Sequence, residues 1–136
     1  MNKIIASFAA IVLLLSLAAC SSSKLADIYK EDEVSTRAKS VVDTINTLDY
    51  DAVVAVLRED LQSQITSESL KSAWGPLLDE AGAFKEYKTV VTYGQKDKAT
   101  EEDYAVCVLV CTYENASRTF TISMDKDLEI VGLYMK

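Results

Sequence analysis

The sequence contains no histidine, one proline, four glycines and three cysteines among its 136 residues. The absence of histidine excludes a histidine general base and the imidazole ligands that many metal sites use. We find no nucleophile elbow, phosphate-binding loop or metal-ligand motif, and no internal repeat. The sequence therefore predicts no metal, no cofactor and no catalytic residue.

Residues 1–19 have the layout of a secretory signal peptide. Met1-Asn2-Lys3 is a short basic start, Ile4 to Leu17 is apolar apart from two serines, and two small residues follow. The apolar run of about 14 residues is shorter than the roughly 20 that a membrane-spanning helix needs. We therefore expect this segment to be removed and to take no part in the fold.

The end of the signal, Leu17-Ala18-Ala19-Cys20, resembles the lipobox of bacterial lipoproteins. The resemblance implies cleavage before Cys20, a diacylglyceryl group on its thiol, and a protein anchored to the extracytoplasmic face of the cell membrane. Two acyl chains hold a protein stably on a bilayer, whereas one does so only marginally. The alternative is a plain signal peptide whose cleavage site falls near a cysteine.

Residues 20–32 are predicted to be the lipidated cysteine and a flexible tether. Ser21-Ser22-Ser23-Lys24 has no apolar periodicity, although Leu25 to Asp32 could instead begin a helix. Removal of Lys3 would leave 13 basic residues against 21 acidic ones, a net charge of −8. This acidity argues against nucleic acid as a partner, and it leaves the lipid as the contact with the membrane.

The two cysteines of the predicted domain, Cys107 and Cys111, are four residues apart in one predicted strand. This spacing places their Cα atoms about 13 Å apart, whereas a disulfide requires roughly 4.4–6.8 Å. We therefore expect two buried thiols that pack as small apolar side chains.

Residues 33–136 are predicted to form one α+β domain that begins with three helices. The first spans Glu33 to Leu48, the second begins at Asp49 or Asp51 and ends near Arg58 or Leu61, and residues 62–65 connect it to the third. Thr66 or Ser67 caps the third helix and Gly82 ends it. Because Pro76 cannot donate to the carbonyl of Ser72, we expect a kink or break near Trp74.

Four strands are predicted to follow, at residues 84–93, 104–114, 118–124 and 129–135. The second of these, Tyr104 to Glu114, is apolar on both alternating faces and rich in β-branched residues, which favours a central position. The first should place Tyr87, Thr89, Val91 and Tyr93 on one face. The order predicts three N-terminal helices packed on a curved four-stranded antiparallel sheet.

Two stretches carry a resemblance: Trp74-Gly75-Pro76-Leu77-Leu78 leading to Gly82-Ala83-Phe84, and Ile130-Val131-Gly132-Leu133 near the end. In them the chain resembles an uncharacterised family of bacterial extracytoplasmic domains. That resemblance covers about residues 33–136 and implies the cone-shaped fold of nuclear transport factor 2-like proteins. The superfamily contains enzymes, ligand-binding proteins and dimerisation modules, so the fold alone does not determine the function.

Aromatic side chains are the candidates for lining a pocket, because tyrosine and tryptophan combine apolar area with a polar group. The candidates are Trp74, Phe84, Tyr87, Tyr93, Tyr113, Phe120 and Tyr134, and the alternative is that they only fill the core. The strand carboxylates Glu86, Glu114 and Glu129 lie near strand ends, where solvent is close. The leading hypothesis is a non-enzymatic module that binds a small molecule or a protein.

Two other functions remain open from the sequence. One is an isomerase or hydrolase that uses a carboxyl or tyrosine deep inside the cone. The other is a structural homodimer, because Thr119, Thr121 and Ser123 mark a more polar sheet face that could pair with another subunit.

Overall fold

The computed structural model describes residues 11–14 and 20–136, with side chains from residue 23 onward. The described residues form three α-helices, one 3-10 helix and six strands. The helices are α1 (Glu31–Asn46), α2 (Tyr50–Val56), the 3-10 helix (Glu59–Gln64) and α3 (Ser67–Ala81). The strands are β1 (Ile11–Leu14), β2 (Cys20–Ser23), β3 (Phe84–Asp97), β4 (Asp103–Tyr113), β5 (Ser117–Met124) and β6 (Ile130–Met135).

The described strands form one antiparallel sheet in the order β1-β6-β5-β4-β3-β2. The predicted α+β class and the four-strand meander β3 to β6 are confirmed. In the described chain this four-stranded sheet is extended at its two edges by β1, from the predicted signal peptide, and by β2, from the predicted tether. Pairing at an edge requires only backbone groups, so the side-chain pattern of Cys20–Ser23 gave no signal for it.

β4 lies in the interior of the sheet, as predicted, with β3 and β5 as its neighbours. Alternate residues of one face are buried against the helices: Ala105, Cys107, Leu109, Cys111 and Tyr113. Helix α1 covers this face with a stripe of five fully buried residues: Val34, Ala38, Val41, Val42 and Ile45. The apolar stripe of α1 and the apolar face of β4 therefore pack against each other in one core.

The boundaries of α2 and α3 follow the predicted caps, whereas α1 begins and ends two residues before the predicted Glu33 and Leu48. The carboxylate of Asp49 accepts a hydrogen bond from the Ala52 N–H at the start of α2. Thr66 and Ser69 form a reciprocal capping box at the start of α3. Helix α3 ends at Gly82, whose φ of 82° is one that glycine adopts without strain.

The predicted number of helices is wrong. The predicted connector at residues 62–65 overlaps the 3-10 helix, so the described domain has four helical segments instead of three. Helix α3 continues through Pro76, so the break that was one of the two outcomes expected near Trp74 does not occur. Pro76 is exposed, so water can hydrate the carbonyl it leaves free, while the buried residues Leu70, Trp74 and Leu78 hold both halves of the helix.

The predicted faces of β3 are also wrong. An irregularity in register lies between Tyr87 and Thr89, so Tyr87 pairs with Cys111 on the helix side while Val91 pairs with Val108 on the other side. A bulge of this kind adds one residue and reverses the alternation beyond it. The predicted loop at residues 94–103 is shorter as well, because β3 continues to Asp97.

The domain in the structure begins before the predicted boundary at residue 33. Tyr29 lies in the predicted tether, yet it is buried in the core and its hydroxyl donates to the Asp103 carbonyl at 2.7 Å. Leu25 and Ala26 also pack against the core. Residues 1–10 and 15–19, most of the predicted signal peptide, lie outside the described residues. Within the described ranges, no helix is both long enough and apolar enough to cross a bilayer.

The thiols of Cys107 and Cys111 should make the protein sensitive to alkali. Both are unpaired and buried, and burial raises their pKa from 9.0 to about 11 and about 12, respectively. Below pH 9 the thiols are neutral in both the folded and unfolded chain. Above it only the unfolded thiols ionise, so the free energy of unfolding should fall by roughly 1 kcal/mol per pH unit for each thiol.

Urea unfolding from pH 8 to pH 11 measures this dependence. The double variant Cys107→Ala/Cys111→Ala should start from a lower stability and lose less with rising pH. An unchanged slope in that variant would show that the thiols do not contribute.

Candidate functional site

The turn between α1 and α2 places an apolar side chain where a helix ordinarily ends in glycine. Leu48 follows the last turn of α1 with a φ of 63°, and its N–H bonds to the Ile45 carbonyl. This left-handed conformation costs a residue other than glycine about 1–2 kcal/mol. The side chain is nevertheless 48% exposed, so its burial recovers only part of that cost.

Leu48 forms one wall of a pocket of about 280 Å³, which we call the apolar pocket. The other lining residues come from the ends of α1, α3 and β4 and the start of β3: Asn46, Leu78, Gly82, Ala83, Phe84 and Tyr113. The pocket thus lies where the C-terminal ends of two helices meet one end of the sheet.

Three aromatic rings stand together on the sheet side of the apolar pocket. Phe84 meets Tyr87 and Tyr113 edge to face, with ring centroids 4.9 Å and 5.6 Å apart. Both hydroxyls bind α1, with that of Tyr113 donating to Asn46 Oδ1 and that of Tyr87 to Asp43 Oδ1 at 2.9 Å. Burial raises the pKa of each phenol above its usual range, so both stay neutral donors.

The junction between α3 and β3 is fixed by the turn between β4 and β5. The Glu114 carboxylate accepts a hydrogen bond from the Ala83 N–H at 2.8 Å, and the Asn115 N–H donates to the Ala81 carbonyl at 2.8 Å. The φ of 82° favours glycine at position 82, and a Cβ atom there would lie 2.9 Å from the Glu114 carboxylate and displace it from the Ala83 N–H. These backbone contacts therefore position the floor of the apolar pocket.

A second pocket of about 330 Å³ also has Leu48 in its wall, and we call it the polar pocket. The rest of its lining is charged and hydroxylated, and comprises Asp49, Tyr50, Asp51, Ser67, Glu68 and Lys71. Leu48 is the residue that the two pockets share. We call the two pockets together the groove; one of them is apolar and the other is polar with an excess of acidic groups.

The remaining predicted pocket residues lie elsewhere. Trp74 and Phe120 are fully buried in the core between the helices and the sheet. Tyr93 pairs with Val106 and Tyr134 pairs with Thr121, on the sheet face that points away from the helices. The structure therefore brings together Phe84, Tyr87 and Tyr113 of the seven aromatic candidates.

Sequence reasoning missed Leu48, Asn46 and Leu78. Leu78 has the burial pattern of an ordinary helix core residue, and Asn46 lies within the predicted first helix without any feature that marks it as a pocket residue. The usable signal was at Leu48, a large apolar residue at a helix end where glycine or asparagine is common.

The buried carboxylate of the described chain has a structural role. Asp125 Oδ1 accepts hydrogen bonds from the N–H groups of Asp127 and Glu129, and its Oδ2 lies 3.2 Å from Arg58 Nη1. It therefore closes the turn between β5 and β6 and ties that turn to the end of α2. Among the described residues, no group of three or more potential metal ligands occurs together.

Residues 38–133 match the family described as "Protein of unknown function (DUF3887)". The chain belongs to the DUF3887 family. This DUF3887 chain also resembles an NMR structure of a protein from Ruminococcus gnavus ATCC 29149, with a TM-score of 0.74 and 24% sequence identity. The match covers 84% of this chain and 97% of the other, and at this identity it shows the fold alone. No curated protein gives a significant match.

Replacing Leu48 should show whether this DUF3887 chain needs the leucine for stability. In Leu48→Asn, the relief of about 1 kcal/mol of backbone strain should offset the similar loss from a half-buried leucine. The free energy of unfolding should therefore change by less than about 1 kcal/mol. The matched variant Leu78→Ala removes a buried wall of the same pocket and should lose about 2–5 kcal/mol.

Urea unfolding of the two variants beside the parent chain measures both effects. If Leu48→Asn is as unstable as Leu78→Ala, then Leu48 is a packing residue and its strain needs no functional explanation.

Proposed function

We propose that this protein is a non-enzymatic module that binds a small molecule in the groove around Leu48. The observation that carries the proposal is Leu48 itself, a strained and half-exposed leucine that lines two pockets. Strain of this kind persists where the surrounding structure imposes it, and it is concentrated at ligand sites. An isolated exposed leucine would need no explanation, but one that also costs backbone energy does.

The groove favours an amphipathic ligand. The apolar pocket, with Phe84, Leu78 and Leu48 in its walls, suits a planar aromatic or branched apolar group. The polar pocket presents Asp51 and Glu68 beside a single lysine, so it favours a hydroxylated or cationic group at the other end of the molecule. The two volumes together are of the size that small-molecule sites occupy, roughly 300–1,000 Å³.

The chemistry of the site supports binding more than catalysis. The Tyr113 hydroxyl donates to Asn46, and its raised pKa makes it a poor general base near neutral pH. Asp125, the buried carboxylate of the described residues, is held by Arg58 and two backbone N–H groups away from the groove. The rival enzyme would require one of these groups to be free to exchange a proton with a substrate.

We further propose that Cys20 carries a diacylglyceryl group that holds the domain at the extracytoplasmic face of the cell membrane. The support is the residue order Leu17-Ala18-Ala19-Cys20 behind a basic start and an apolar run. The helices covering one face of an antiparallel sheet also support a nuclear transport factor 2-like cone as the fold.

The homodimer stays a prediction. The outer face of the sheet carries Val91, which is 49% exposed, beside half-buried Val108 and Thr121. Such a face suits association between sheets, and sedimentation of the protein at micromolar concentration would test it.

Fragment binding tests the groove. Indole is small enough for the apolar pocket and should bind with a dissociation constant of about 1 mM, since small ligands reach only modest affinities. NMR titration should shift the resonances of Leu48, Phe84 and Tyr113 first. Leu48→Asn should weaken binding about fivefold, because the lost apolar contact is worth about 1 kcal/mol.

The matched control is Val91→Thr, which removes a similarly exposed apolar side chain from the other face of the sheet. It should leave indole binding unchanged. Equal weakening by the two substitutions, or shifts that avoid the groove, would contradict the proposed site.

Substitution of Cys20 tests the anchor. In bacteria with intact lipoprotein processing, the parent chain should incorporate labelled fatty acid and sediment with membranes. Cys20→Ser should incorporate none and leave the membrane fraction, because the thiol that accepts the lipid is gone. A parent chain without lipid at Cys20 would overturn this part of the proposal.

A further inference from the structure

We propose that the segment after Cys20 is docked on the domain and fixes its orientation on the membrane, with the turn between β3 and β4 toward the bilayer and the groove facing away. This inference rests on the proposed lipid anchor and on the groove as the binding site. It goes beyond them by assigning the side from which a ligand arrives.

The first support is the contact between the segment and the end of β3. Residues Cys20–Ser23 pair antiparallel with β3 from Gly94 to Asp97. A Cβ atom at Gly94 would lie 2.5 Å from the Lys24 carbonyl oxygen, closer than real contacts allow. Gly94 is thus the position at which the incoming chain lies directly against the strand.

The docking continues beyond Lys24. Leu25 and Ala26 pack against the core, and Tyr29 is buried with its hydroxyl bound to the Asp103 carbonyl at the start of β4. The chain from Ser23 to Tyr29 therefore follows the same end of the sheet. A segment held by backbone pairing, apolar packing and a buried tyrosine does not behave as a free linker.

The docking leaves little chain between the lipid and the fold. Cys20 itself is in register with Asp97, so the anchored residue lies beside the last residue of β3. The turn at residues 98–102 continues from that point. The part of the domain nearest to the bilayer is then set by covalent connection.

The groove lies at the other end of the same strands. Phe84 begins β3 and pairs with Tyr113 at the end of β4, whereas Asp97 ends β3. Thirteen residue-to-residue steps of extended chain separate Phe84 from Asp97, which corresponds to roughly 40 Å along the strand. A small domain with its anchor at one end of this hairpin presents the other end to the aqueous phase.

The charges near the anchor do not by themselves produce this orientation. Residues 96–103 carry two lysines and four carboxylates, so anionic lipid heads do not attract the turn, and the lipid and the docked segment must hold it there. Ile28 is 65% exposed and lines a surface pocket with Glu102 and Asp103 at the same end. An exposed isoleucine there can contact the interfacial region of the bilayer.

The orientation implies that the ligand is dissolved in the aqueous phase or is part of the cell wall, and that it is not a membrane lipid. A lipid headgroup beside the anchor would be roughly 40 Å from the apolar pocket.

Depth-dependent fluorescence quenching tests the orientation on the lipidated full-length product. The variants Thr100→Cys, in the turn, and Glu80→Cys, near the groove, are exposed sites for a thiol-reactive bimane. The native Cys107 and Cys111 are buried and Cys20 is acylated, so labelling is specific. The vesicles contain phosphatidylcholine, phosphatidylglycerol and a lipid with a nitroxide on its headgroup.

The label at residue 100 should be quenched at least about threefold more than the label at residue 80, since the two ends are roughly 40 Å apart. Inserting about ten glycine and serine residues between Ser22 and Ser23 adds a flexible span of roughly 18 Å and should remove most of the difference. Gly94→Val should act in the same direction by displacing Lys24. Because the insertion leaves every residue of the domain unchanged, it is decisive if Gly94→Val fails to fold.

Equal quenching of the two labels in the parent chain would overturn the inference, as would a difference that survives the insertion. Indole titration of the same samples separates the two proposals. A preserved orientation without indole binding contradicts only the groove, whereas indole binding with equal quenching contradicts only the orientation. Absence of lipid at Cys20 contradicts the anchor and the orientation together.

Discussion

The burial of β4 between two strands and beneath α1 is the constraint on which the domain depends. Cys107 and Leu109 have no exposed surface on the helix side, and the strand's backbone groups are paired on both edges. Such a strand can exist only if other elements supply its neighbours and its cover. The meander supplies its neighbouring strands, and the apolar stripe of α1 supplies its cover.

The ends of the helices, more than their middles, give the domain its candidate site. Helix α1 ends with Leu48 in a left-handed conformation, and α3 ends with Gly82 in contact with Glu114. Both ends meet the start of β3, where the Phe84 ring stands. A helix end exposes unpaired carbonyls and a change of chain direction, so side chains there are positioned without being enclosed. That is the geometry a binding groove needs.

The groove and the docked N-terminal segment lie at opposite ends of β3. The chain after Cys20 follows the far end of β3, and Gly94 permits the close approach. Under the proposed orientation, the docked segment and the distant groove would leave the two ends of the domain in different surroundings. A flexible tether would have made every face equivalent on average.

Much of the fold could be predicted because its signals are periodic. The apolar stripe of α1, the cap at Asp49 and the uninterrupted apolar run of β4 each specify an element through local physics. Aromatic content pointed to Phe84, Tyr87 and Tyr113, although the bulge after Tyr87 could not be inferred from alternation. Such a bulge depends on the pairing register between two strands, which the residue pattern of one strand does not specify.

The sequence by itself determined α1 to α3, the strands β3 to β6, their order, the caps of α2 and α3 and the central place of β4, because these follow from spacing and from side-chain chemistry within one segment. Tertiary structure decided which aromatic side chains meet, why helix α3 continues through Pro76, and that Tyr29 belongs to the core. It also placed Leu48 in the lining of two pockets. These outcomes depend on contacts between segments distant in sequence, whose energies no local pattern contains.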